Sequence, residues 1–119
     1  MPGKLETSHE TRPDGITVFT LAGDLFGSSA GYAFQEAVRE KLAGGSRGVV
    51  VDFERVVRID SSGVGILAAL MWSASNARSR LVLAALPQRV EKVLSLAMLL
   101  EHVDHAASVD EALAKLGNR

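Results

Sequence analysis

The segment Gly48 to Phe53, "GVVVDF", narrows the possible folds more than any other. Three consecutive valines leave the strand no polar face, so both of its sides must be covered. A second such run, "RLVLAAL", spans Arg80 to Leu86. A stretch too long for a strand separates the two runs, and helix-period segments follow the second. Buried strands alternating with helices favour a sheet with helices packed on it.

The remaining segments extend this pattern. "LETSHE" alternates but is mostly polar and reads as an edge strand. "RPDG", Arg12 to Gly15, supplies a turn in which Pro fixes φ and Gly permits a positive one. "ITVFTLAG" then carries apolar side chains on both faces, as the interior strand of a hairpin would. In "GSSAGYAFQEAVREKLAGG" the helical period places Phe34, Ala37, Val38 and Leu42 inward and Gln35, Glu36, Arg39 and Glu40 mostly toward water. The valine strand is expected to end near Glu54, with "ERVVRID" crossing the sheet edge as a loop. A second helix runs from the serines at 61 and 62 to about Arg78. Pro87 suits the first turn of a third helix, "PQRVEKVLSLAMLL" to Leu100, with Val90, Val93, Leu94 and Ala97 inward. "HVDHAAS" has room for a short last strand. "SVDEALAKL" reads as a capping box: Ser108 caps, Glu111 reaches back, and Val109, Ala112, Leu113 and Leu116 form the buried stripe. The expectation is an α/β domain: a small mixed sheet, opening hairpin plus parallel strands, with about four helices. The 119 residues suit a single domain over 1–119 with a core at about 15–116.

Composition excludes several functions. A net charge of −1 gives no electrostatic footprint for direct nucleic-acid binding. The absence of cysteine removes disulfides, thiol catalysis and cysteine–zinc sites, and is compatible with a cytoplasmic setting. "MPGKLETSHE" lacks the apolar core of a signal peptide. The longest apolar run, "VGILAALMW", is nine residues, whereas a membrane span needs about 20.

The chemistry, if there is any, centres on "RIDSSGVGIL", Arg58 to Leu67. Strand ends and the starts of following helices are where sites tend to lie in α/β sheets. The first turn of a helix has unpaired N–H groups and a positive dipole end, both favourable to phosphate. A serine there can carry the added charge of about −1.5 to −2 without harm to the helix. A partner pressed against it would be repelled, and Asp60 adds to the repulsion. Gly63 and Gly65 each cost about 1 kcal/mol against alanine in a helix. In return they leave bare backbone for a partner loop or for close helix–strand packing. The plainer reading is a helix cap, since Asp and Ser are the commonest capping residues.

Other constellations are weaker. His102 and His105 with Asp104 offer two imidazoles and a carboxylate, but catalytic zinc needs its three ligands in suitable geometry, and these residues fall in a loop or short strand. A serine hydrolase needs a histidine base and an oxyanion hole, and the G-x-S-x-G elbow is absent because Asp60 stands where a small residue should be. No G-K-[ST] loop occurs. "MWS" and "MLL" at Met71 and Met98 read as core more readily than as partner surface, although an exposed Trp72 would make a docking patch. No cofactor and no metal are expected.

Three pieces of the sequence together resemble the STAS domain family, which includes bacterial anti-sigma-factor antagonists. They are "IDSSGVG" after the "VVVDF" strand and a V-V-R loop, "LAGDL" (Leu21 to Leu25), and the "LVLAALPQRVEKVLSLAMLLEHV" tail. The similarity runs from about Gly15 to Leu116. It implies that Ser61, with Ser62 as runner-up, is phosphorylated by an anti-sigma factor that is itself a serine kinase. The unmodified protein binds that kinase, phosphorylation ends the binding, and a phosphatase resets Ser61. On this reading the protein is not an enzyme, Ser62 is the neighbouring cap, and Asp24, Asp60, Gly63, Val64 and Gly65 shape the contact surface. Regulated members often carry a second acid where this chain has Phe26, so Phe26 is either a contact itself or tucked under the first helix. The alternative is a STAS scaffold that does not cycle through phosphate, as in a signalling or lipid-transport assembly.

Overall fold

The structure, a computed structural model, describes residues 4–117. Strands β1 (Leu5–Thr11) and β2 (Ile16–Leu25) form an antiparallel hairpin. Gly15 turns it with φ of +87°, a conformation that costs side-chain-bearing residues strain. The chain continues as α1 (Ser29–Ala43), β3 (Gly48–Ile59), α2 (Ser61–Asn76), β4 (Leu81–Ala84), α3 (Gln88–Leu96), β5 (Asp104–Ala106) and α4 (Val109–Gly117). The strands lie in the order β1-β2-β3-β4-β5, with β2 to β5 mutually parallel. The mixed sheet and its helices are those expected from the alternation of segments.

Helices cover the two faces unequally. Phe34, Val38 and Leu42 of α1, Ile66, Leu67 and Leu70 of α2, and Val90 and Leu94 of α3 pack with Phe19, Val49, Val51 and Phe53 in one core. Ala112 and Leu116 of α4 cover Ile16, Val50, Val82 and Ala106 on the opposite face. Val50 and Val51 therefore point into different cores, which is why the valine run could contain no polar residue.

Four local expectations are corrected. "ERVVRID" is not a loop up to Asp60, because β3 continues to Ile59 alongside β2. The register jumps between Thr20 and Ala22 and again between Gly23 and Asp24, each time placing an extra residue on β3. The first of these bulges brings both Phe53 and Val56 into the same core although they are three residues apart. A strand with such bulges loses its alternation and looks like a loop in sequence. The third helix stops at Leu96, with Ala97 exposed and Val93 only half-buried. Met98 takes φ of +62°, and the turn it makes lets Leu99 and Leu100 fall onto the core. Pro87 precedes the helix as its cap residue rather than sitting in its first turn. At α4 the Glu111 amide donates to Ser108 Oγ (3.1 Å), while the Glu111 carboxylate accepts from Ala107, one residue before the expected Ser108 amide.

Candidate functional site

Helix α2 starts where β3 leaves the sheet. Asp60 is its cap: the residue is extended (φ −108°, ψ −176°), and its Oδ1 accepts a hydrogen bond from the Gly63 amide at 2.8 Å. The expectation that Ser62 caps this helix is therefore corrected. A carboxylate serves better there, since it adds a full negative charge at the positive end of the helix. Ser61 and Ser62 occupy the first two helical positions, and both are exposed. Among the described residues neither hydroxyl has a hydrogen-bond partner.

The two glycines of the motif have different reasons. Gly63 is buried, and a Cβ on it would run into the carbonyl of Leu25 and the side chain of Ile59. The helix can start on top of the end of β2 only because that side chain is missing. Gly65 is exposed, and a Cβ added there would meet nothing within 4 Å. No packing inside the protein calls for it.

The loop after β2 borders the serines. A Cβ on Gly27 would lie 2.6 Å from Ser62 Cβ and 2.8 Å from its Oγ, with the Tyr32 hydroxyl at 3.1 Å. Ser62 is thus turned against this loop. Asp24 is buried, not displayed: Arg58 Nε donates to its Oδ1 (3.2 Å) and Nη2 to its Oδ2 (2.6 Å). Phe26 is half-buried, with the Arg58 guanidinium carbon 5.4 Å from the centre of its ring. Of the residues expected on the contact surface, Ser61, Ser62 and Gly65 are exposed, Phe26, Asp60 and Val64 are half-buried, and Asp24 and Gly63 face inward. Arg58 was missed by sequence reasoning. Its pairing with Asp24 depends on the β3 bulges, which leave no periodic signal.

The sequence match decides the family. The STAS domain family model fits residues 10–112. The chain belongs to the STAS family. No curated protein matches it in sequence. Among solved structures, this STAS domain is similar to an anti-sigma factor antagonist from Mycobacterium paratuberculosis, at 21% identity, 99% coverage of this chain, 98% of that one, and a TM-score of 0.84. It is also similar to the anti-sigma factor antagonist SpoIIAA in its unphosphorylated form (23% identity, 96% and 98% coverage, TM-score 0.80). The phosphorylated form of SpoIIAA, from Bacillus, gives 23% identity, 93% and 99% coverage and a TM-score of 0.66. A sulfate transporter family protein from Wolinella succinogenes gives 18% identity, 91% and 89% coverage and a TM-score of 0.74. At these identities the likeness establishes the fold.

Elsewhere in this STAS domain the other candidate groups stand apart from the serines. Asp104 pairs with Arg80 (3.1 Å) and His102 lies near Glu101 (3.7 Å). Among the described residues no group of three or more His, Cys, Asp or Glu side chains converges as metal ligands would. No described helix is long and apolar enough to cross a membrane. Met71 packs on the core, whereas Trp72 is 68% exposed.

Proposed function

We propose that this STAS domain is a phospho-switchable anti-sigma-factor antagonist without chemistry of its own. With Ser61 unmodified it binds an anti-sigma factor that is also a serine kinase, in the cytoplasm. Phosphorylation of Ser61 by that kinase ends the binding, and a phosphatase restores it. One observation carries the reading: Asp60 caps α2, so the Ser61 hydroxyl has no structural duty and stands exposed in the first turn. The cap was the plainer explanation for a serine here, and another residue fills that role.

The surroundings support the same reading. A phosphate on Ser61 sits at the positive end of α2, where the fold tolerates it. Against a docked partner the same charge, next to Asp60, imposes like-charge repulsion and desolvation. Gly65 leaves bare helix one turn further on, open to close approach. Ser62 is the runner-up acceptor, and its position against Gly27 leaves it less room.

The deciding experiment mixes the protein with its cognate kinase and ATP and reads intact mass. A single phosphate should appear on wild type and on Ser62→Ala, and not on Ser61→Ala. Transfer that survives Ser61→Ala would sink the assignment. The likeness to a sulfate transporter family protein favours a second reading, a scaffold that does not cycle. That reading has both Ser61→Asp and Ser61→Ala still assembling with the partner.

A further inference from the structure

We infer that Arg58 is a preorganised receiver for the phosphate on Ser61. The inference rests on the Ser61 reading and adds to it a group that holds the modified state. An arginine carries five N–H donors in a planar fork. Asp24 takes one from Nε and one from Nη2. Nη1 and the second N–H of Nη2 form the other edge of the fork, and no hydrogen bond within the described residues uses them. The Asp24 carboxylate is 8% exposed and the Arg58 side chain 47%, so the pair has its acid inside and its base at the surface. The Phe26 ring lies beside the guanidinium, its centre 5.4 Å from the guanidinium carbon. The hydrogen bonds to Asp24, and then its charge, hold Arg58 even more firmly protonated than an ordinary arginine.

Position makes this edge relevant to Ser61. Three chain steps separate the two Cα atoms, with Ile59 and Asp60 between them, a span of at most about 10 Å along extended chain. That distance is within the combined reach of an arginine and a phosphoserine. The loop ties the same end together, since Phe26 lies against Arg58 and the next residue, Gly27, lies against Ser62. Two parallel N–H groups match two phosphate oxygens. A phosphate tethered three residues away meets them at high effective concentration. The Asp24 pair has already immobilised the side chain, so little further ordering is needed. Asp60 and Asp24 oppose the added charge, and Arg58 answers it.

The test installs phosphoserine at position 61 by genetic encoding, so no kinase is required. Urea unfolding compares serine and phosphoserine forms in wild type, Arg58→Gln and Arg55→Gln. Arg55 is the control, an exposed cation on the same strand. The effect of phosphoserine on the unfolding constant should be at least about threefold more destabilising with Arg58→Gln than in wild type, and unchanged by Arg55→Gln. Loss of the Asp24 partner weakens both forms alike and cancels in the comparison. In wild type, the Arg58 side-chain NMR signals should shift and sharpen with phosphoserine at 61 and not at 62. Equal effects in wild type and Arg58→Gln, or Arg58 signals indifferent to the phosphate, would overturn the inference. The functional reading fails separately, if the kinase never modifies Ser61.

Discussion

Two helices of this protein begin with a serine pair, and the pairs are used differently. At α1 the sequence is Gly27-Ser28-Ser29, and Ser28 caps the helix, its Oγ accepting from the Gly31 amide at 3.1 Å. At α2 the sequence is Asp60-Ser61-Ser62, and the aspartate takes the cap. One residue ahead of the pair decides whether a serine is structural. With glycine there, the first serine is drawn into capping. With aspartate there, both hydroxyls are left over. The outer faces differ in the same sense: α1 carries Glu36, Arg39 and Glu40, whereas α2 has no charged residue along its length. The first helix shows charge to water, whereas the second shows Ser61, Ser62, Gly65 and Trp72.

The comparison breaks most readily at Ser61 itself. Ser61→Asp should weaken kinase binding by about 100-fold or more in calorimetry, since a like-charge clash in an interface costs several kcal/mol. Ser28→Asp, which retains a capping acceptor, should leave binding intact. Gly63→Ala should cost about 1–3 kcal/mol in urea unfolding, because the methyl group collides with the Leu25 backbone. Asp60→Ala and Ser28→Ala should each cost about 1 kcal/mol as lost caps, whereas Ser61→Ala should change stability by less than about 0.5 kcal/mol. A Ser61→Ala variant as unstable as Ser28→Ala would erase the distinction between the pairs. Gly65→Ala sharpens it from the other side. It should stabilise the fold by up to about 1 kcal/mol while weakening the partner complex, because the space is open in the monomer.

The legible parts of this molecule are those where one physical requirement dominates. The valine run declares two covered faces, and the structure divides Val50 and Val51 between two cores. The period of α1 declares its buried side, and Phe34, Val38 and Leu42 lie there. The serine turn was legible as a place, because polar residues and glycines break an apolar pattern there. Which residue capped it was not, since Asp, Ser and Ser compete for one amide and only geometry chooses among them. The second half of β3 was misread because two bulges cancel its alternation. That error concealed Arg58, whose meeting with Asp24 is a long-range event set by register. Phe26 was expected either outside as a contact or beneath the first helix, and it lies beside a cation that composition could not have paired with it.

The surplus residues in β3 work as a phase adjuster. Between Phe53 and Ile59 the strand makes more steps than its neighbour, and the extra steps decide which way the chain points as it leaves the sheet. Deleting one residue there would preserve Asp60 and both serines in order yet turn them toward the wrong side. The count of amino acids upstream of the motif thus sets where the motif is aimed, and a search for the motif string alone would accept proteins in which it is misaimed.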